Sequence, residues 1–246
     1  MNGKVFLVGA GPGDPGLMTV KGMKILREAD AVVYDALIDT SILNECPNAE
    51  LTDAGKRGGD HTMPQDVINR TLVRLAGEGK NVVRLKGGDP FLFGRGAEEA
   101  AELRKNGIEV HVIPGVSSST AVPELAGIPL THRDSASMVT VVTGHERADR
   151  DSERTDWKRL ASLGGTIVIL MGIGNSDRIS RELMAGGLPP ETPAAVITMG
   201  SAKEQRTETT VLGSLHSDIV AKRIGTPGII VIGDVVRHRE TLGDLR

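Results

Sequence analysis

Cysteine and aromatic residues are scarce in this sequence, and no apolar run is long. One cysteine among 246 residues excludes an intramolecular disulfide and a zinc site built on several cysteines, so we expect a reducing compartment, the cytoplasm. The longest apolar stretch, Thr166 to Ile173, is far too short to cross a bilayer, so no membrane partner is expected. A net charge of −3 argues against general nucleic-acid binding.

With aromatics at 2 %, the core must be built from aliphatic residues, and 31 glycines indicate many tight turns. Short apolar runs alternate with amphipathic stretches along the whole chain, a pattern typical of α/β domains. We therefore predict two α/β domains, each with a mostly parallel sheet, covering residues 1–114 and 115–246 and joined near Pro114-Gly115. The predicted strands lie near residues 4–8, 31–35, 81–85, 109–113, 138–143, 166–171, 194–199 and 228–233.

The segment from Arg84 to Gly96 is the most informative stretch of the chain. A buried strand ends there in Gly87-Gly88-Asp89-Pro90, followed by two phenylalanines and further glycines. Glycines allow a ligand to approach the backbone closely, and ligands of open α/β sheets bind beyond the carboxyl ends of the strands. A plain turn with solvated charges explains this combination of residues less well than a ligand site.

The glycine-rich loop after the first predicted strand is not a nucleotide-binding loop. A dinucleotide fingerprint beginning at Gly9 requires its third glycine at position 14, which is Asp14. Pro12 and Pro15 also remove two backbone N–H groups that a phosphate cradle would use. The loop is therefore expected to be rigid and poorly suited to pyrophosphate, which argues against a nicotinamide-dependent oxidoreductase.

These stretches resemble the uroporphyrinogen-III C-methyltransferases of the tetrapyrrole methylase superfamily. Residues 87–96 match the signature G-G-D-P-F-x-F-G-R-G, and residues 55–61 match G-K-R-x-G-x-H. Residues 8–15, 114–118 and 127–133 match further family segments, although Ser117 stands where the family usually has threonine. The resemblance implies the tetrapyrrole methylase fold, with S-adenosylmethionine in the cleft between the two domains, and a homodimer.

The activity that the resemblance implies is S-adenosylmethionine-dependent methylation of uroporphyrinogen III at carbon. Two methyl transfers would yield precorrin-2, for tetrapyrrole biosynthesis of the siroheme or cobalamin type, with S-adenosylhomocysteine as the other product. No metal is expected, because the sulfonium is already a strong electrophile. A base must remove a proton from the methylated ring system, and an anionic substrate requires cations around it.

The resemblance also assigns roles to individual positions. Asp35, at the end of the second predicted strand, and Lys56 are the implied catalytic residues. The implied cofactor contacts are Pro12, Gly87, Gly88, Asp89, Leu92, Ser117, Ser118, Met171, Gly200, Thr226 and Gly228. The implied substrate contacts are Arg57, His61, Arg84, Arg95 and Arg133.

Three alternatives remain open from the sequence. The first is another enzyme of the superfamily, such as a precorrin C-methyltransferase, a diphthine synthase or a ribosomal RNA ribose methyltransferase. The intact pair of segments at 55–61 and 87–96 argues against these. The others are the oxidoreductase disfavoured above and a non-catalytic tetrapyrrole or nucleotide carrier, which a turnover measurement would distinguish from an enzyme.

Overall fold

The computed structural model describes residues 3–55, 63–145 and 155–246. Within those ranges the chain forms ten strands and eight α-helices. It divides into two compact units, Met1–Ser117 and Ser118–Arg246, here called the N-terminal and the C-terminal unit. The domain ranges 1–114 and 115–246 stay a prediction, because compactness alone does not show that either part folds independently.

The N-terminal unit contains a five-stranded sheet in which the neighbouring strands are all parallel, in the order β3-β2-β4-β1-β5. Its strands are β1 (Lys4–Gly9), β2 (Ala31–Tyr34), β3 (Glu50–Asp53), β4 (Val82–Lys86) and β5 (Glu109–Ile113). Its helices are α1 (Val20–Arg27), α2 (Gln65–Gly77) and α3 (Gly96–Lys105).

Alternation along the strands sends side chains to two separate cores, one on each face of this sheet. On one face Val5 and Val82 pack with Leu72 of α2 and Leu103 of α3. On the other face residues such as Val83 pack against α1 and the short 3₁₀ segment Thr40–Glu45. Helices thus cover both faces of the sheet, as is usual for a parallel sheet. The carboxyl ends of the strands stay accessible.

The C-terminal unit has a second five-stranded sheet, in the order β6-β7-β10-β8-β9. Its strands are β6 (Val139–Thr143), β7 (Thr166–Leu170), β8 (Pro193–Thr198), β9 (Arg206–Val211) and β10 (Gly228–Ile232). Its helices are α4 (Ser118–Leu125), α5 (Trp157–Leu163), α6 (Ser176–Ala185), α7 (Leu215–Ala221) and α8 (Arg239–Leu242). One core lies among the sheet, α5, α6 and α7, and another between the sheet and α4.

The α/β fold class is confirmed, but the expectation of a mostly parallel sheet is wrong for the C-terminal unit. Only β6 and β7 pair in parallel, while β10 is antiparallel to both β7 and β8, and β8 is antiparallel to β9. The reason is the loop 199–205, which contains no helix. A parallel crossover needs a dozen or more residues, so this short loop forces β8 and β9 into an antiparallel hairpin. Strand β10 then continues in the direction of β9.

The helices of both units are short amphipathic or buried segments. Across the three described ranges, none is long and apolar enough to span a bilayer.

Candidate functional site

Three loops of the N-terminal unit meet where β1, β4 and β5 end. An antiparallel bridge joins Gly11 to Gly88, with the Gly88 N–H donating to the Gly11 carbonyl at 2.7 Å. A Cβ placed on Gly115 would lie 2.3 Å from the Gly88 carbonyl oxygen and 2.7 Å from the Gly9 Cα. Backbone therefore packs directly on backbone at this edge, and the glycines are required by this contact itself.

Asp89 connects two of these loops. Its Oδ1 accepts hydrogen bonds from the backbone N–H groups of Phe91 at 2.8 Å and Leu92 at 3.1 Å, and its Oδ2 accepts one from Gly115 at 3.1 Å. Both carboxylate oxygens are thus used to shape the β4 and β5 loops. The predicted cofactor contact of Asp89 stays a prediction, and the geometry gives this residue a structural role as well.

The rest of the β4 loop folds around the Pro90 carbonyl, which accepts the Gly96 N–H at 3.0 Å as α3 begins. Leu92 is 40 % exposed, so its side chain is free to contact a ligand. Arg95 is exposed and forms an ion pair with Glu98 on its own helix, with Nη2 and Oε2 2.7 Å apart. An arginine on an accessible loop fits the predicted contact with an anionic substrate.

Arg84 does not occupy the position expected of a substrate ligand. Its side chain is 2 % exposed, because alternation along β4 points it into the core beneath α2 and α3. Its guanidinium donates to the Asp35 carboxylate, to Glu99 Oε1 at 3.1 Å and to the Val33 carbonyl at 3.3 Å. The expectation that Arg84 binds substrate directly is therefore corrected: it holds Asp35 from within the unit.

Asp35, the predicted base, follows β2 directly, and its N–H donates to the Leu85 carbonyl at 3.2 Å. Its side chain is 30 % exposed, while Arg84 holds Oδ1 of the carboxylate. The arrangement fixes the orientation of this carboxylate at the end of a strand, where ligands of α/β sheets bind.

Two ionisable residues near Asp35 were assigned no role from the sequence. Lys86 is buried, and its Nζ lies 3.7 Å from Asp35 Oδ2 and 3.2 Å from Glu99 Oε1. Burial lowers the pKa of the Lys86 ammonium, and the neighbouring Arg84 lowers it further. Glu99 is fully buried on α3. The signal that could have identified it is its position, four residues before Leu103 on the apolar face of that helix.

Four predicted contacts of the C-terminal unit lie in loops at the same end of the sheet: Met171, Gly200, Thr226 and Gly228. There β7 and β8 end and β10 begins, since Gly228 pairs with Thr198 and Ile229 with Leu170. A Cβ on Gly200 would come within 2.4 Å of the Val122 side chain of α4, so this loop is packed against that helix. Met171 is exposed, which leaves its side chain available to a ligand.

Backbone strain concentrates in the loops that carry these predicted contacts. Among the described residues other than glycine, those with positive φ are Phe93, Arg95, Met171, Met199, Ser201 and Arg223. All but Arg223 lie in the loops after β4, β7 and β8. Left-handed conformations at such residues cost free energy and cluster at functional sites, so in each unit the observation supports a role of these loops in ligand binding.

The remaining predicted residues occupy varied positions. Pro12 lies in the partly exposed loop after β1, Ser117 and Ser118 stand at the start of α4, and Arg133 is exposed. Lys56, Arg57 and His61 lie outside the described residues.

Comparison with known proteins gives consistent matches over nearly the whole chain. Residues 4–216 match the family model of the tetrapyrrole (corrin/porphyrin) methylases. An S-adenosyl-L-methionine-dependent uroporphyrinogen III methyltransferase of Methanosarcina barkeri is 49 % identical, with 99 % of this chain and 96 % of that protein covered. A uroporphyrinogen-III C-methyltransferase of Methanocaldococcus jannaschii is 51 % identical, with 96 % and 98 % covered.

A solved structure is similar as well. The uroporphyrin-III C-methyltransferase of Thermus thermophilus in complex with S-adenosyl homocysteine superposes with a TM-score of 0.80 at 37 % identity. The match covers 96 % of this chain and 99 % of that one.

Proposed function

This chain belongs to the tetrapyrrole (corrin/porphyrin) methylase family, and we propose that it transfers methyl groups from S-adenosylmethionine to carbon atoms of uroporphyrinogen III. Two transfers convert this substrate to precorrin-2. The observation that carries the proposal is the identity of about one half with two uroporphyrinogen-III methyltransferases, over nearly the full length of each protein. The match therefore includes the strand-end loops of the N-terminal unit and those of the C-terminal unit.

The residues at these strand ends fit S-adenosylmethionine, which when bound supplies a methyl group activated by a sulfonium. A ligand can approach the backbone at Gly87, where an added Cβ would meet no atom of the described residues closer than 3.5 Å. The exposed Leu92 side chain offers apolar contact to this ligand from the N-terminal unit, and Met171 is an exposed apolar side chain in the C-terminal unit. Gly88, Gly200, Thr226 and Gly228 are proposed to shape the ligand-binding loops through their backbone. Asp89 is proposed to do so through its carboxylate.

Asp35 is proposed to take the proton that the methylated ring must lose. Arg84 holds one carboxylate oxygen, so the carboxylate is presented in one orientation at the end of β2. General-base assistance typically contributes about 10²–10⁴-fold in rate. Lys56 is proposed as a second participant on the grounds of the family segment at 55–61, and Arg57, His61, Arg95 and Arg133 as contacts to the substrate carboxylates.

The test is incubation with uroporphyrinogen III and S-adenosylmethionine, with the product mass as readout. A mass gain of two methyl groups supports the proposal. A gain only with a precorrin substrate would favour the alternative, a precorrin C-methyltransferase, and no turnover with either would indicate a carrier.

The role of Asp35 is tested with Asp35→Asn. This variant should lower kcat by about 10²–10⁴-fold while S-adenosylhomocysteine still binds in calorimetry. The matched control is Asp30→Asn at the opposite end of β2, where the carboxylate accepts the Asn81 N–H. Near-normal kcat in Asp35→Asn would show that Asp35 is not the base.

We also propose that the enzyme works as a homodimer in the cytoplasm, as the family resemblance and the single cysteine suggest. Light scattering at micromolar concentration tests the assembly, and a monomer there would count against it.

A further inference from the structure

The carboxylate of Asp35 belongs to a buried ion network of four residues: Asp35, Arg84, Lys86 and Glu99. Arg84 bridges the two carboxylates, contacting Asp35 through Nη2 and Glu99 Oε1 through Nε at 3.1 Å. Lys86 bridges the same two, with its Nζ 3.2 Å from Glu99 Oε1 and 3.7 Å from Asp35 Oδ2. The four charges therefore form a closed alternating ring, in which Glu99 lies opposite Asp35.

Glu99 is the innermost member of the ring. It is fully buried, and its Oε1 accepts a third hydrogen bond from Gln65 Nε2 of α2 at 3.1 Å. Its Oε2 has no hydrogen-bond partner among the described residues. A buried carboxylate with one unsatisfied oxygen is expensive, and replacing buried ion networks by apolar side chains is often neutral or stabilising. A contribution to the stability of the fold is therefore a poor explanation for a buried glutamate at position 99.

We propose that Glu99 is a positioning residue for the proton-removal step: by holding Arg84 and Lys86, it fixes the orientation and the charge balance of the Asp35 carboxylate. This inference rests on the proposed function, in which Asp35 is the base. Glu99 itself touches no substrate. Its effect reaches Asp35 through the two cations of β4, both of which it contacts directly.

The charge balance decides how Asp35 should respond when Glu99 is lost. Among the described residues, the charged groups near Asp35 are Arg84 and Lys86 from β4, Glu99 from α3, and Arg95 at the start of α3, whose guanidinium interacts electrostatically with Glu99. Without the Glu99 charge, Asp35 is the remaining carboxylate of this network, opposite both β4 cations. Extra positive charge nearby favours the ionised form of a carboxylate, so Asp35 should be a weaker base in this variant.

The experiment is a pH profile of kcat for Glu99→Gln. The acid limb should move to lower pH by about one unit, and kcat on the plateau should fall by about 10- to 100-fold because the carboxylate is held less well. S-adenosylhomocysteine affinity should stay at the wild-type value. The matched control is Glu102→Gln, the same substitution one turn further along α3, where the carboxylate contacts Asn106 and not the network. An unmoved acid limb with wild-type kcat in Glu99→Gln overturns the proposal.

A second variant covers the case in which Glu99→Gln does not fold. Glu99→Gln combined with Lys86→Met removes one anion and one cation, which leaves Arg84 and Asp35 as a balanced pair. Its acid limb should return towards the wild-type position, while kcat stays lowered. Wild-type kcat in this double variant overturns the proposal, and so does an acid limb that lies about one unit below that of the wild type.

The Asp35→Asn variant distinguishes a failure of the proposed base from a failure of the role of Glu99. If Asp35→Asn keeps wild-type kcat, the proposed base is wrong and the role of Glu99 falls with it. If Asp35→Asn loses activity while Glu99→Gln keeps a wild-type rate and profile, only the inference about Glu99 is overturned.

Discussion

Among single residues, Gly115 and Gly87 should respond differently to an added methyl group, the first in stability and the second in ligand binding. An added Cβ on Gly115 would lie 2.3 Å from the Gly88 carbonyl oxygen, so Gly115→Ala should shift the backbone and lower the melting temperature. The nearest atom to a Cβ on Gly87 is the Leu37 Cβ at 3.5 Å, an ordinary contact. Gly87→Ala should therefore fold normally but weaken S-adenosylhomocysteine binding, if the ligand approaches the backbone there as proposed.

Thermal melting and calorimetry on the two variants check this. Unchanged ligand affinity in Gly87→Ala would remove Gly87 from the proposed cofactor site. A wild-type melting temperature in Gly115→Ala would contradict the close packing of the three loops.

The location of a single residue could be predicted only where the sequence shows in which direction its side chain points. Asp35 could be placed at a strand end, because the apolar run before it fixes where β2 stops. Arg84 was expected to face a ligand, but alternation along β4 places it beside Glu99 in the interior. Contacts between strand and helix side chains depend on packing between elements distant in sequence, and periodicity within one element does not specify them.

At the scale of elements, the strands missed by the sequence analysis are β3 and β9. Both are edge strands, β3 pairing with β2 and β9 with β8. Edge strands often carry charges, and β3 (Glu50–Asp53) and β9 (Arg206–Val211) are mostly polar or charged, so they lack the apolar run by which the other two edge strands, β5 and β6, were predicted. Missing β9 also hid the hairpin with β8, and this omission led to the wrong direction for β10.

This difference between edge and centre predicts the pattern of hydrogen exchange. Amides of β4, which is buried along its full length between β2 and β1, should exchange slower than those of the edge strand β3 by on the order of 10²-fold or more. Strands β10 and β9 should differ in the same sense, because β10 is central and β9 is an edge. Exchange measured by mass spectrometry on peptides covering each strand tests this, and equal rates for β3 and β4 would contradict the assigned strand order.

At the scale of the whole molecule, a net charge of −3 has to be reconciled with a polycarboxylate substrate. Attraction then depends on local cations at the strand ends, such as Arg95 at 51 % side-chain exposure, and exposed charges are screened by salt. We therefore expect the KM for uroporphyrinogen III to rise several-fold between about 0.05 and 0.5 M NaCl, where the Debye length falls well below 10 Å. The affinity for S-adenosylhomocysteine, which carries no comparable charge, should change little.

The same screening experiment on Arg95→Ala shows whether this arginine is one of the cations responsible. If it contacts the substrate, the variant should have a raised KM at low salt and a weaker dependence on salt, because part of the screened attraction is already lost. The matched control is Arg70→Ala, since Arg70 is likewise an exposed arginine paired with a carboxylate on its own helix, Asp66 at 2.8 Å, but lies on α2. Identical salt profiles for Arg95→Ala and Arg70→Ala would show that Arg95 serves its Glu98 pair and not the substrate. A wild-type KM that does not respond to salt would mean that the substrate is held by contacts too buried to be screened.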